Sequence, residues 1–227
     1  MSGRPYIIGI AGPSCSGKSG LAKALVDQLP ETDPLLVSLD SYYHDLSSLH
    51  PAEREKRNFD RPEALDLNLF KNHLQVLISG GKISEPNYDF ATHTRLPQSK
   101  RLSPGNFVII EGLFVLHWKE IRDLLCTSVF VTLHDHICLS RRLDRDTKER
   151  GRTPESVMAQ YAETVRPMNE KYILPTKTFA DIVVNGEDLL ERSTAIIMAH
   201  ISSAIDHNSF NRQSTIINHQ SKPGDGK

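Results

Sequence analysis

Residues Gly12-Pro13-Ser14-Cys15-Ser16-Gly17-Lys18-Ser19 follow the pattern G-x-x-x-x-G-K-[ST], directly after an apolar run, Tyr6-Ile7-Ile8-Gly9-Ile10-Ala11, that reads as a buried strand. The glycines let the backbone turn so that successive N–H groups face inward, and the helix expected to open near Lys18 adds its positive dipole end. Lys18 then serves as a point charge for β- and γ-phosphates, and the Ser19 hydroxyl as a Mg²⁺ ligand. Four constrained positions match by chance in about one chain in a hundred of this length. Leu21, Ala24, Leu25 and Leu29 supply the helix that must follow. The segment therefore commits the chain to a strand–loop–helix unit that grips a nucleoside triphosphate.

The other apolar runs extend that unit into a sheet. Leu35 to Leu39 reads as a second strand, delivering Asp40 to its carboxyl end, and Leu67 to Ile78 carries a helical period that stops at Gly80-Gly81. Phe107 to Ile110, ending in Glu111-Gly112, and Ser128 to Leu133 read as central parallel strands. Residues 136–150 and 155–170 read as helices, 180–184 as a last strand, and 189–205 as a closing helix with Leu190, Ala195, Ile197, Met198 and Ile201 as its apolar positions. Strands alternating with helices predict an α/β fold, a doubly wound parallel sheet of the P-loop NTPase type, with insertions at 41–65 and 82–105. One domain spans 1–207, with a flexible tail over 208–227, whose composition is too polar to offset ordering entropy.

In 227 residues a net charge of −1 gives no global attraction to nucleic acid or anionic membrane. The three cysteines, Cys15, Cys126 and Cys138, have no metal or disulfide spacing. The chain opens on a strand without a leader pattern, and no 18 consecutive residues are apolar. These features predict a soluble, cytoplasmic protein.

Glu111, at the end of its strand, is the expected second Mg²⁺ ligand beside Ser19. Asp40 is the expected acceptor of a proton from an attacking hydroxyl. Arg141 through Arg152 holds six basic residues in twelve. Pairs such as Asp144 with Lys148 and Arg145 with Glu149 account for part of that charge. The surplus arginines suit a lid, about residues 141–153, that closes on phosphates and excludes water. His134 and His136 lack ligand partners at metal spacing and are read as surface residues.

Several separated stretches together resemble the phosphoribulokinase/uridine kinase family, and the uridine–cytidine kinases in particular, over about residues 6–206. They are Ser38-Leu39-Asp40-Ser41-Tyr42-Tyr43, Asn58 to Ala64, Pro86 to Arg95 with its Tyr-Asp-Phe-x-x-His-x-Arg pattern, Ile109 to Gly112, Arg141 to Arg152, and Val157 to Tyr161. The resemblance implies phosphoryl transfer from ATP or GTP with Mg²⁺ to the 5′-hydroxyl of uridine or cytidine, and a homotetrameric assembly. Carried over by position, it makes Asp40 the carboxylate that activates the hydroxyl and Asp60 the acceptor for the ribose 2′ and 3′ hydroxyls. It places Tyr88 and His93 around the pyrimidine, has Arg142, Arg152 and Gln160 complete the acceptor site, and directs Arg145 and Arg150 to phosphates. Two stretches depart from the family pattern: Thr132-Leu133-His134-Asp135-His136, and Asn185-Gly186-Glu187-Asp188 after the last strand. The second bears on the choice between ATP and GTP. Another ribosylated acceptor, such as nicotinamide riboside, and a nucleotide-binding regulatory role are the alternatives.

Overall fold

Tyr6–Ala11 forms strand β1, and Ile7, Ile8, Ile10 and Ala11 are fully buried because helices cover both faces of a parallel sheet. The computed structural model describes residues 4–220, the stretch 207–220 by its backbone alone. The expected tail, 208–227, falls in that stretch and beyond it.

Helix α1 (Lys18–Asp27) buries Leu21, Ala22 and Leu25 and stops short of Pro30, where a 3₁₀ turn intervenes. Strand β2 (Leu35–Ser38) stops one residue short of the expected end and passes into a second 3₁₀ turn, Leu39–Tyr42, so Asp40 stands in that turn, two residues past the strand. A short helix α2 (Pro51–Arg54) precedes α3 (Leu67–Ile78), which seats Phe70, Leu74 and Leu77 in the core as its period predicts. Strands β3 (Ile83–Asp89) and β4 (Thr94–Leu102) form an antiparallel hairpin that the sequence reading left as an insertion. Pro86 sits at a break in its register between Glu85 and Asn87, which interrupts the alternation that would have revealed a strand.

The chain returns to the sheet through β5 (Phe107–Glu111), the short α4 (Lys119–Arg122) and β6 (Thr127–Thr132). Helix α5 (Asp135–Glu149) takes in most of the expected lid segment. The helix expected over 155–170 is broken into α6 (Pro154–Gln160), a π turn at Tyr161–Val165, α7 (Arg166–Met168) and a second π turn at Asn169–Ile173. Strand β7 (Ile182–Asn185) and helix α8 (Leu190–Gln220) close the order. Along α8 the core takes Ser193, Thr194, Ile197 and Ile201, whereas Leu190 stays exposed, contrary to the expected apolar face.

The five parallel strands lie in the order β2-β5-β1-β6-β7, so β1 pairs on one side with β5 and on the other with β6. That order reverses direction at β1, and the loop at its carboxyl end opens into the crevice where such sheets bind ligands. The two faces have separate cores. One packs Phe70, Leu74, Phe114 and Ile121 under the hairpin side, and the other packs Leu21, Leu25, Ile197 and Ile201.

Backbone closeness fixes the loop after β1. A Cβ on Gly12 would meet the Val131 carbonyl at 2.4 Å, and one on Gly186, after β7, would meet the Ser16 carbonyl at 1.9 Å. Both contacts are backbone to backbone and cannot be relieved by a rotamer. Gly186→Ala is therefore expected to cost about 1–3 kcal/mol of stability in urea denaturation and to weaken nucleotide binding in a titration. A variant with wild-type stability and affinity would show that the 185–188 loop does not brace the loop after β1.

Candidate active site

The loop after β1 is built from unusual backbone angles. Gly12 has φ 152°, Gly17 φ 102° and Cys15, a non-glycine residue, φ 63°. These turns bury Ser16 and place Lys18 nearly out of solvent, with its Nζ donating to the Pro13 carbonyl at 3.4 Å. A lysine held that way, with only one long bond to a carbonyl, keeps donors for an incoming anion.

Glu111 at the end of β5 is buried and accepts from Ser19 Oγ at 2.9 Å and from Ser38 Oγ at 2.7 Å. The two expected metal ligands are thus in direct contact. Beside them stands Asp40, whose carboxyl is pushed above the usual range by burial and by Glu111, and drawn back by Lys18, Arg150 and Arg145.

A cleft of about 1170 Å³ opens over this floor. It is walled on one side by the phosphate loop and α5, and on the other by the hairpin and the segment before α3. Of the residues singled out in the sequence, Ser14, Cys15, Gly17, Lys18, Ser19, Asp40, Asp60, Tyr88, His93, Arg142, Arg145, Arg150, Arg152 and Gln160 line it. Gly12, Pro13 and Ser16 are buried on the loop's underside, and Glu111 lies beneath Ser19.

Asp60 is nearly enclosed. Burial raises its pKa, and Arg142 together with a 3.4 Å hydrogen bond from Thr164 Oγ1 lowers it. Thr164 lies in the first π turn and also donates to the Gln160 carbonyl at 3.0 Å, so the widened turn is what carries its hydroxyl toward Asp60. Gln160 Oε1 accepts from Arg142 at 3.1 Å and from Arg152, while Arg142 also donates to Ser14 Oγ at 3.2 Å. One arginine thereby joins the phosphate loop to the acceptor side.

The arginine-rich segment is organised differently from the expected surface pairs. Asp144 does pair with Lys148 at 2.5 Å, but Arg145 turns from Glu149 to Asp146, at 2.8 Å. Asp146 is fully buried and also meets Arg142 at 3.4 Å, Arg150 at 3.6 Å and Arg152 at 3.9 Å. Arg142 and Arg150 stand one helical turn on either side of Asp146, a spacing visible in the sequence, but Asp144 and Glu149 have basic residues at the same spacing, so only burial distinguishes Asp146.

On the hairpin side the ring of His93 stacks on Phe59 with centroids 4.1 Å apart and planes 13° apart. Tyr88 packs between Tyr43, at 5.3 Å, and Phe90, at 5.1 Å. The Tyr88 hydroxyl and His93 Nδ1 are buried without a hydrogen-bond partner in the protein, an arrangement that calls for a ligand or water. Burial pushes the Tyr88 phenol up to about 12 and the His93 imidazole down, so both face the cleft uncharged near neutral pH.

Arg95, part of the pattern that suggested base recognition, turns away from the cleft. Its guanidinium donates to the Tyr43 carbonyl at 2.9 Å and the Tyr42 carbonyl at 3.2 Å, and pairs with Asp66 at 3.4 Å. It staples the hairpin to the turn that carries Asp40. Phe59, Tyr43 and Phe90 stand within the family-like stretches, which assign them no role of their own.

A model of the "Phosphoribulokinase / Uridine kinase family" matches residues 7–189. The chain is 45% identical to a uridine kinase of Lactobacillus johnsonii over 185 residues, covering 81% of this chain and 88% of that one. A uridine kinase of Chloroflexus aurantiacus is 39% identical over 205 residues, with 90% and 98% covered. Among solved structures, phosphoribulokinase from Rhodobacter spheroides superposes with a TM-score of 0.63 at 17% identity, covering 80% of this chain and 70% of that one. The fold is thus shared well beyond the range of sequence likeness.

Replacing the Arg95 fork by an ammonium keeps the charge but cannot hold two carbonyls and a carboxylate together. Arg95→Lys is expected to raise the acceptor KM about tenfold with the nucleotide KM unchanged in steady-state assays. Equal changes in both constants would show that Arg95 supports the whole domain rather than one wall.

Proposed function

The chain belongs to the phosphoribulokinase/uridine kinase family, and we propose that it transfers the γ-phosphoryl group of ATP, or alternatively GTP, to the 5′-hydroxyl of uridine or cytidine. The observation that carries this is the division of one cleft between two enclosed carboxylates: Asp40 beside Lys18 and Glu111, and Asp60 beside Arg142 and Thr164. The curated uridine kinases to which the chain is similar support the choice of acceptor.

The protein groups fit a Mg²⁺ ion. A hydroxyl and a carboxylate already in contact, Ser19 and Glu111, suffice for a small hard cation that takes its other oxygens from phosphates and water. Bound there, Mg²⁺ would neutralise phosphate charge.

Asp60 accepts from the ribose 2′ and 3′ hydroxyls, and a nucleoside lacking one of them would leave a buried carboxylate short of a partner. Tyr88 and His93, both neutral, offer a donor and a ring nitrogen to the pyrimidine edge. Held this way, the 5′-hydroxyl meets Asp40. Its proton passes to the carboxylate as the new oxygen–phosphorus bond forms and the bond to the departing nucleoside diphosphate breaks. Lys18, Arg145 and Arg150 neutralise the charge that spreads over the transferred group.

Asp40 acts only when ionised. Because its pKa lies above the unperturbed value, near 3.9, the charged form costs stability at neutral pH, and that cost shrinks as pH falls through the raised value and is gone only below the unperturbed one. Asp40→Asn should therefore lower uridine-dependent ADP release about 10²–10⁴-fold, bind ATP as before in a titration, and melt at a higher temperature than the parent. Near-parental turnover would remove Asp40 from the mechanism. In the parent protein, the acid limb of kcat should fall at a pH above that of an unperturbed aspartate, and a limb at or below that value would assign it to another group.

A further inference from the structure

Arg150 lines the cleft and meets both α5 and the hairpin. At the end of α5 it pairs with Asp146 at 3.6 Å, and its guanidinium lies over the ring of Phe90 at 5.1 Å. Phe90 belongs to the tip of the hairpin, 39% exposed, in edge contact with Tyr88 and, at 6.0 Å, with Tyr43. The tip is held in place: Asp89 accepts from Ala91 N at 2.9 Å and from Thr92 Oγ1 at 2.7 Å. Phe90 is therefore a fixed ring standing in water beside a guanidinium. Gly151, next in the chain, has φ 62°, and Arg152 N donates to the Asp146 carbonyl at 3.1 Å, which turns the chain back on α5 just beyond Arg150.

We propose that Phe90 is a positioning residue that, through Arg150, couples occupancy of the nucleoside side of the cleft to the grip on the triphosphate. The coupling presupposes the nucleoside kinase activity proposed above. A nucleoside seated among Phe59, Tyr88 and His93 displaces water from beside Phe90. A cation–π contact strengthens as it is desolvated. Arg150, which already feels the charge of Asp40, is then held more firmly toward the phosphates. A contact that is stronger with the acceptor bound is a differential interaction, so each substrate must sharpen the affinity of the other by the same factor.

The test is a titration of the full chain with the β,γ-imido analogue of ATP and Mg²⁺, with and without saturating uridine or cytidine, in the parent, Phe90→Leu and Phe90→Tyr. In the parent, nucleoside is expected to tighten analogue binding at least about fivefold. Phe90→Leu should reduce the factor to less than about twofold, with analogue affinity in the absence of nucleoside unchanged. Phe90→Tyr, which keeps the ring, should restore it. Coupling in Phe90→Leu equal to the parent's, absence of coupling in a parent that binds nucleoside, or loss of analogue affinity together with a lowered Tm would each overturn the proposal. ADP release by the parent with uridine or cytidine separates these outcomes from failure of the activity itself. A parent that neither binds nor phosphorylates a nucleoside refutes both.

Discussion

Charge balance around one cleft governs this structure. Four carboxylates, Asp40, Asp60, Glu111 and Asp146, are enclosed with Lys18, Arg142, Arg145, Arg150 and Arg152. No member could hold its place alone, because an isolated charge in such surroundings is expelled or neutralised. Asp146 shows the principle most directly: without its carboxylate the four arginines around it would repel one another in a space that gives them little water. Arg150 has its pKa lowered by burial and by Arg145 and Arg142, against the pull of Asp146. A polyanionic ligand meets a site already arranged for it, with little reorganisation left to perform.

The scaffold serves that balance by delivering the charges from separate elements. The ends of β1, β2 and β5 supply the loop with Lys18, the turn with Asp40, and Glu111; α5 and the residues just after it supply the arginines; the first π turn supplies Thr164. Because the parallel strands end together at the crevice, short side chains suffice for contact between Ser19, Ser38 and Glu111. The hairpin stands apart from the five-stranded sheet and is fastened by Arg95 to the Asp40 turn, so that wall of the cleft is positioned relative to Asp40.

The sequence disclosed the parts whose signal is local. The phosphate loop, the central strands and α3 follow from spacing and periodicity, because a strand buried on both faces needs an unbroken apolar run and a glycine turn has few substitutes. What it concealed depends on contacts between distant residues. The β3–β4 hairpin is half-exposed and broken by Pro86, so it shows neither an apolar run nor clean alternation. Phe59 meets His93, and Phe90 meets Arg150, only after the hairpin folds over the segment before α3. The preference of Arg145 for Asp146 over Glu149 rests on burial, since spacing alone makes both acids plausible partners. Arg95 belonged to a recognisable pattern, yet its geometry makes it a staple rather than a ligand for the base.

The nearness of Gly186 to the Ser16 carbonyl bears on how the protein is made. The phosphate loop is synthesised well before the turn after β7 whose backbone presses against it. Contacts between segments so far apart in sequence form late, after the loop-closure entropy between them has been overcome. The loop thus stays unfinished until β7 has followed it, and a nascent polypeptide lacking β7 holds the nucleotide loop without its brace.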